Sequence, residues 1–466
     1  MKEKINKFGY IHFIGIGGIG MSGIAELMKN LGYFVQGSDI LSNSNTIRLE
    51  KKGIKVLIGH NKRYVHNVSA VIFSSAVKKN NPEILEAIKQ KIPVVSRAEM
   101  LGELMRFKRG IAIAGSHGKT TTTSILANIL EEAKFDPTFV NGGIVNSLLS
   151  NSKMGNGEWM VAEADESDGS FLKLPNEINI ITNIDIEHLD YYKNFNKLFL
   201  SFKKFASSVP FYGCTILCLD NKYTNKLSRQ ITTREVITYG IDKLNADLNI
   251  INIKIKNGKS HFTIKLSEKF NNISKRKINL SLNLLGKHNI LNSSAAVAVS
   301  LKIGIKAKTI QKTLSNFDGV SRRFTFIGKV KSTKIYDDYA HHPSEILASL
   351  EIAKILCRGK IIVIFQPHRY SRTKTLYNDF IKVLKKIDVL AICNIYSAGE
   401  KYEKGLDLKF YNDIKKNSKK FVIKVKNEKN IYKYISPYLK NDNLVIFMGA
   451  GSISNLAKKF ILEHRK

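Results

Sequence analysis

Lys119 sits in the stretch AGSHGKTTTTS, residues 114–124, between the apolar run Ile111–Ala114 and a helical pattern. A helix start offers free N–H groups and a partial positive charge, which together attract phosphate. Gly115 and Gly118 let the backbone close around an anion, with Ser116 and His117 between them. Lys119 adds a point charge, Thr120 a hydroxyl for Mg²⁺, and Thr121 continues the first turn. The strict P-loop spacing needs glycine where Ile113 stands, so the match is to the shorter G-x-x-G-K-T. This chemistry points to the phosphates of ATP.

ATP with Mg²⁺ requires carboxylates, and VAEADESDGSF supplies Glu163, Asp165, Glu166 and Asp168. Strand alternation predicts Glu163 and Asp165 on one face. Acids at a strand end hold metal in nucleotide enzymes. Helix capping and solvation of a loop would account for part of the same set. His188 follows a further apolar run in NIDIEHLDYY, where a structural imidazole and a metal ligand are both open readings. Asn289 and Asn292 in GKHNILN share one face of a helix start, suited to nucleotide contact or to capping. Arg322 and Arg323 in SRRF place permanent charge at a segment junction, as a phosphate clamp would.

Further along, YDDYAHHPSE gathers Asp337, Asp338, Tyr339, His341 and His342, and QPHRYSRT sets Arg369 and Arg372 beside His368. Two arginines with nearby histidines suit a small carboxylate. A surface salt-bridge cluster is the alternative, and a metal site from the adjacent histidines is disfavoured because neighbours point apart on an extended chain.

A second glycine loop lies near the start. Gly15, Gly17, Gly18, Ile19 and Gly20 form GIGGIG, with Asp39 following Gly20 by 19 residues. The pattern predicts a diphosphate at a helix N-terminus and an acid near a ribose. A nicotinamide dinucleotide and a UDP-linked substrate both carry that diphosphate.

Elements that would position these residues recur three times. Short apolar runs alternate with helical patterns over residues 10–100, from 109 onward, and again from near Val320. Each loop of interest ends a strand, where open α/β sheets bind ligands. LNIINIKIKNGKSHFTIKLSEKF alternates with period 2 around NGK and predicts an antiparallel insert. The expected organisation is three domains, at 1–107, 108–319 and 320–466.

Composition narrows the class. The 466 residues are 43% hydrophobic, enough for full cores. No apolar run reaches the ~20 residues that a membrane helix needs, and the chain enters a strand pattern without a signal-peptide profile. A cytoplasmic protein is expected. The net charge of +35 is spread along the chain without a block of like charge. That argues for solvated lysines and against nucleic acid as partner, while favouring polyanionic ligands. Cys214, Cys218, Cys357 and Cys393 lack ligand spacing and read as reduced structural thiols.

Taken in order, HFIGIGGIGMSGIAE, SRAEMLGELM, AGSHGKTTTT, EADESDGSF, NIDIEHLDYY, GKHNILN, SRRF, DDYAHHPSE, QPHRYSRT and GAGSI resemble the Mur ligase family over essentially the whole chain. GIGGIGMSGIAE and QPHRYSRT fit its alanine-adding branch better than its muropeptide-recycling branch. The resemblance implies α/β architecture: a Rossmann-like N-terminal domain for the UDP substrate, a central P-loop-type ATPase domain with a mostly parallel sheet, and a C-terminal Rossmann-like domain for the amino acid. It implies amide-bond formation between L-alanine and the carboxylate of UDP-N-acetylmuramate, through an acyl phosphate made with ATP and Mg²⁺, for peptidoglycan. By motif, Lys119 would touch the ATP phosphates, and Thr120, Glu163 and His188 would serve the metal. Asn289, Asn292, Arg323 and Asp338 would hold ATP, and His341, Arg369 and Arg372 the alanine. The first loop, with Asp39 and Ser75, would hold UDP. Ala340 in DDYAHHP stands where glycine is expected in many members. The resemblance leaves a monomer or a dimer equally open. A nicotinamide oxidoreductase would leave the ATP loop and the arginine pair unexplained, and a nucleic-acid-dependent ATPase is suggested by charge alone.

Overall fold

The computed structural model describes residues 9–464 apart from 75, 147–149, 272, 274 and 441. Three sheets organise the chain, and it divides into two compact units, Met1–Gly319 and Val320–Lys466.

The first sheet has order β3-β2-β1-β4-β5, with β1 Tyr10–Ile14, β2 Val35–Asp39, β3 Lys55–Ile58, β4 Val68–Phe73 and β5 Val94–Ser96, all parallel. Strand order reverses between β1 and β4, so the loop leaving β1 opens at the crevice where such sheets bind ligands. That loop is GIGGIG. It enters the helix Ile19–Asn30 without a side-chain cap and with no acid in the first turn. Elsewhere, capping boxes start the helices Ser44–Lys51 (Asn43 with Thr46) and Arg97–Met105 (Ser96 with Glu99).

The second sheet has ten strands in the order β15-β14-β13-β12-β11-β10-β6-β9-β7-β8. The parallel members are β6 Arg109–Ala114, β7 Thr138–Val145, β9 Trp159–Glu163, β10 Ile178–Ile181, β11 Cys214–Cys218, β12 Glu235–Ile241 and β13 Leu248–Lys256. β8 Ser150–Lys153 pairs antiparallel with β7, while β14 Lys259–Leu266 and β15 Lys277–Leu282 extend the far edge as a meander. The expected antiparallel segment is therefore present, but β13 also pairs parallel with β12 and makes it a continuation of the large sheet. Its turn is Asn257–Gly258, both at positive φ, as a tight hairpin requires. β6 is buried over Gly110–Ala114, as a strand covered on both faces must be, and its helix Lys119–Glu132 starts at the glycine loop. One apolar core runs from Phe13 and Ile24 under the first sheet to Val140, Phe171 and Phe202 around the second.

In the second unit the order is β16-β17-β21-β18-β19-β20. β17 Thr333–Asp338, β18 Ile361–Phe365, β19 Val389–Ile392, β20 Phe421–Lys424 and β21 Leu444–Met448 are parallel, and β16 Thr325–Val330 is the antiparallel edge. The four cysteines are free thiols. Among the described residues, no helix is long and apolar enough to cross a membrane.

Candidate active site

The Gly115–Gly118 loop is shaped by backbone conformations that side chains rarely adopt, φ +126° and +84°. A Cβ at 115 would enter the space of Thr182 and Asn183, and one at 118 that of Asn292. The loop is strapped from the neighbouring strand end. Asn183 Oδ1 accepts from His117 N at 2.9 Å, Asn183 Nδ2 and Thr182 Oγ1 donate to His117 O at 2.9 and 2.6 Å, and Ser116 Oγ accepts from Asp185 N at 2.8 Å. These partners lie 65–69 residues away in sequence, so spacing did not reveal them. The adjacency of β10 to β6 creates them.

Lys119 Nζ donates to Gly115 O at 2.5 Å and to Glu166 Oε1 at 2.9 Å. Burial works against its charge, yet the Glu166, Glu163 and Asp165 carboxylates outweigh burial and hold its pKa above that of ordinary lysine. Thr120 Oγ1 donates to Glu163 Oε2 at 3.0 Å, and Gly142 N on β7 donates to the same oxygen at 2.8 Å. Thr121 is buried in the first turn.

β9 ends at Glu163, so strand alternation does not carry through to Asp165. The two carboxylates turn to different partners. Asp165 Oδ2 accepts from Arg97 Nη2 at 3.2 Å, and although burial raises its pKa, Arg97 and Lys119 hold it below the usual range. Asp168 caps Ser170 N at 3.0 Å, the structural role open to it from the start. Glu166 is nearly inaccessible, and among the described residues its Oε2 has no hydrogen-bond partner.

His188 adopts φ 56°, unusual for a residue with a side chain. Such strain costs on the order of 1–3 kcal/mol and persists where surroundings over-determine it. Its Nε2 lies 3.7 Å from Glu166 Oε1 and 3.9 Å from Glu187 Oε2. Glu166, Glu187 and His188 offer ligand atoms all within 4.8 Å of one another, an oxygen-rich set suited to a hard divalent cation. The structure thus brings Thr120 to Glu163 and groups His188 with Glu166 and Glu187.

Asn292 is buried against Gly118, whereas Asn289 Nδ2 donates to Leu285 O at 2.8 Å at the start of its own helix. Asn292 faces the Gly115–Gly118 loop, and Asn289 uses its Nδ2 at the start of its own helix.

In the first sheet, Gly15 lies at φ +78°, Gly17 N donates to Asp39 Oδ2 at 2.8 Å, and Gly18 precedes the helix as its cap. Asp39 therefore braces the loop itself. A Cβ at 17 would collide with Asn43, Asp39 and Thr46. Ile19 is partly exposed at the helix start, and a Cβ at Gly20 would lie 3.1 Å from Arg97 Nη1. Ser75 lies outside the described residues.

In the second unit, Asp338 is buried and accepts from Ser349 Oγ and from Ala340 N. Burial pushes it up to about 6, against Ser349, Arg323 and the Ala340 amide. Arg323 lies over the Tyr339 ring at 5.1 Å. Ala340 is buried and is not among the positive-φ residues, so its backbone does not need glycine. His341 Nδ1 lies 2.9 Å from Tyr339 O, and its ring meets His368 edge-on at 5.9 Å. Arg372 Nη1 lies 3.3 Å from His368 Nδ1, and Arg369, at φ 72°, donates its N–H to Tyr396 O at 2.8 Å. Burial, then His341, Arg372 and Arg369, push the His368 imidazole down to about 3, so it is neutral. Tyr396 stacks on His368 at 5.5 Å and was not picked out from sequence. It comes from the end of β19, a loop without a charged motif.

Three family models cover the chain: Mur ligase family, catalytic domain, at residues 10–109; Mur ligase middle domain at 113–300; and Mur ligase, glutamate ligase domain, at 322–451. The chain is similar to the UDP-N-acetylmuramate--L-alanine ligase of Rickettsia typhi, at 46% identity over 98% of this chain and 93% of that relative. It matches that of Bartonella bacilliformis at 46% over 98% and 96%. Among solved structures it resembles UDP-N-acetylmuramate-alanine ligase MurC from Thermotoga maritima, with TM-score 0.84, 28% identity, and coverage of 98% and 99%. A murein peptide ligase from Psychrobacter arcticus shares the fold, with TM-score 0.73 and 24% identity over 97% and 98%.

Proposed function

The chain belongs to the Mur ligase family, and from that membership we propose that it joins L-alanine to the carboxylate of UDP-N-acetylmuramate at the expense of ATP, in peptidoglycan precursor synthesis. The carrying observation is the near-complete match to relatives bearing that activity in their names, at 46% identity.

Two anions must meet before an acyl phosphate can form. The substrate carboxylate attacks the γ-phosphorus and the bond to ADP breaks, while Lys119, just after the Gly115–Gly118 loop, would contact the transferring phosphoryl group and offset its charge. Thr120, Glu163 and His188 would hold Mg²⁺, with Glu166 and Glu187 beside His188; the oxygen donors of Thr120 and the three glutamates fit a hard cation. When bound, the ion supplies charge neutralisation at the phosphoryl oxygens. Asn292 and Asn289 are assigned to ATP from the first unit, and Arg323 and Asp338 from the second. The helix start at Gly18–Gly20 receives the UDP diphosphate, in the loop that Asp39 braces. We assign residues 1–107, 108–319 and 320–466 to the UDP substrate, ATP and the amino acid.

His341, Arg369 and Arg372 are assigned to alanine. The two guanidinium charges of Arg369 and Arg372 suit its carboxylate, and neutral His368 adds no competing charge beside the amine. The free amine attacks the acyl carbon, the amide bond forms as the nitrogen gives up a proton to solvent, and the acyl–oxygen bond breaks to release inorganic phosphate.

The product identifies the branch. With ATP, Mg²⁺ and UDP-N-acetylmuramate, an equimolar mixture of L-alanine and a murein tripeptide should yield the alanyl product by mass spectrometry. Tripeptide product alone would move the chain to the recycling branch.

A further inference from the structure

SRAEMLGELM has no role in the account so far, although its arginine lies between the two glycine-loop regions. Arg97 opens the helix Arg97–Met105 at the end of β5, where the Ser96–Glu99 capping box fixes the turn. Its side chain is 17% exposed, and Nη2 donates to Asp165 Oδ2 at 3.2 Å. On the other side, Nη1 lies 3.1 Å from the Cβ that any residue but glycine would place at position 20. The guanidinium thus packs against the first turn of Ile19–Asn30.

That placement is electrostatically odd. A helix start carries about half a positive charge, and cations are disfavoured there. The first turn contains no acid and no side-chain cap to offset it. Asp165 compensates from one side only. An anion at the helix start resolves the conflict, and arginine's fork offers further donors to it.

We propose that Arg97 is a ligand of the substrate diphosphate and that Asp165 is a positioning residue that aims it. The inference rests on the reading of the first glycine loop as a UDP site. It adds a side-chain cation to a cradle otherwise made of backbone amides. It also makes the strand end carrying Glu163 and Glu166 a support for the substrate site, since Asp165 lies between them in EADES. Gly20 then has a second purpose, which is to leave room for the guanidinium.

The test is calorimetric titration of the full chain with UDP and, separately, with uridine, which lacks phosphate. Arg97→Ala should weaken UDP on the order of 10- to 100-fold, as loss of a charge-assisted hydrogen bond does, with uridine unchanged. Arg97→Lys should recover part of the loss. Asp165→Asn should weaken UDP by a smaller factor, and the double variant should be no weaker than Arg97→Ala alone. Equal weakening of UDP and uridine, or UDP binding by Arg97→Ala at wild-type strength, overturns the role of Arg97. Additive losses in the double variant overturn that of Asp165. Failure of the wild-type chain to bind UDP at all sinks the underlying site reading instead.

Discussion

Lys119 Nζ lies 2.9 Å from Glu166 Oε1, so the cation that should meet ATP is held on a buried carboxylate across the mouth of its own loop. The pair keeps the lysine charged at the loop proposed for phosphate. Lys119→Ala should lower turnover by at least ~100-fold, the scale for removing a transition-state donor. UDP-substrate binding should persist. Steady-state rates and titration with UDP-N-acetylmuramate, run on the same preparation, separate the two effects.

Gly118 combines φ +84° with Asn292 packed where a Cβ would go. Gly118→Ala should therefore strain the loop and displace Asn292. ATP affinity should fall by about tenfold or more, with stability reduced by roughly 1–2 kcal/mol for the left-handed backbone. Nucleotide titration and thermal melting read these separately.

Asp338 titrates near 6 because it is buried. Its charged form, the one assigned to holding ATP with Arg323, is populated above that pH and lost below it. Turnover should fall as pH drops through about 6, and the ATP KM should rise over the same range. Asp338→Asn should remove this limb. The stability sign is opposite: a carboxyl raised in the folded state favours folding fully below its unfolded value near 3.9, and that contribution is lost as pH rises through about 6.

His368, pushed down to about 3, should show no protonation step from pH 5 to 9. Its ring carbons, followed by NMR against pH, should stay at neutral-imidazole shifts. A midpoint near 6.5 would mean that burial and the neighbouring His341, Arg372 and Arg369 do not hold it neutral. For the lowered group, stability is present above the unfolded value near 6.5 and is lost as pH falls toward 3.

Phe171 stacks on Phe205 at 4.8 Å and meets Phe202 at 5.4 Å, fully buried just after the acidic strand end. Phe171→Ala should cost about 3–5 kcal/mol through lost burial and a residual cavity, measured by denaturant unfolding.

The α/β character and the parallel sheets were legible because buried strands such as Ile361–Phe365 and Leu444–Met448 are unbroken apolar runs. Both glycine loops stood out because their geometry needs glycine at fixed spacing. What could not be read was who meets whom across the sheets. Nothing in spacing joins Arg97 to Asp165, or Asn183 to His117; strand adjacency and helix starts bring them together. Alternation placed Glu163 and Asp165 on one face, but the strand stops at Glu163 and the chain turns. Asp39 stood out by position as a ribose acid, but its bond to the Gly17 amide could not be read from spacing. Tyr396 carries no charge and lies in no motif, so only its stacking on His368 revealed it.

The central claim is ligation, and phosphate release measures it most directly. Purified protein would be incubated with ATP, Mg²⁺, UDP-N-acetylmuramate and single amino acids, omitting one component at a time. Release is expected only in the complete mixture and fastest with L-alanine. Release at the same rate without any amino acid would contradict the account.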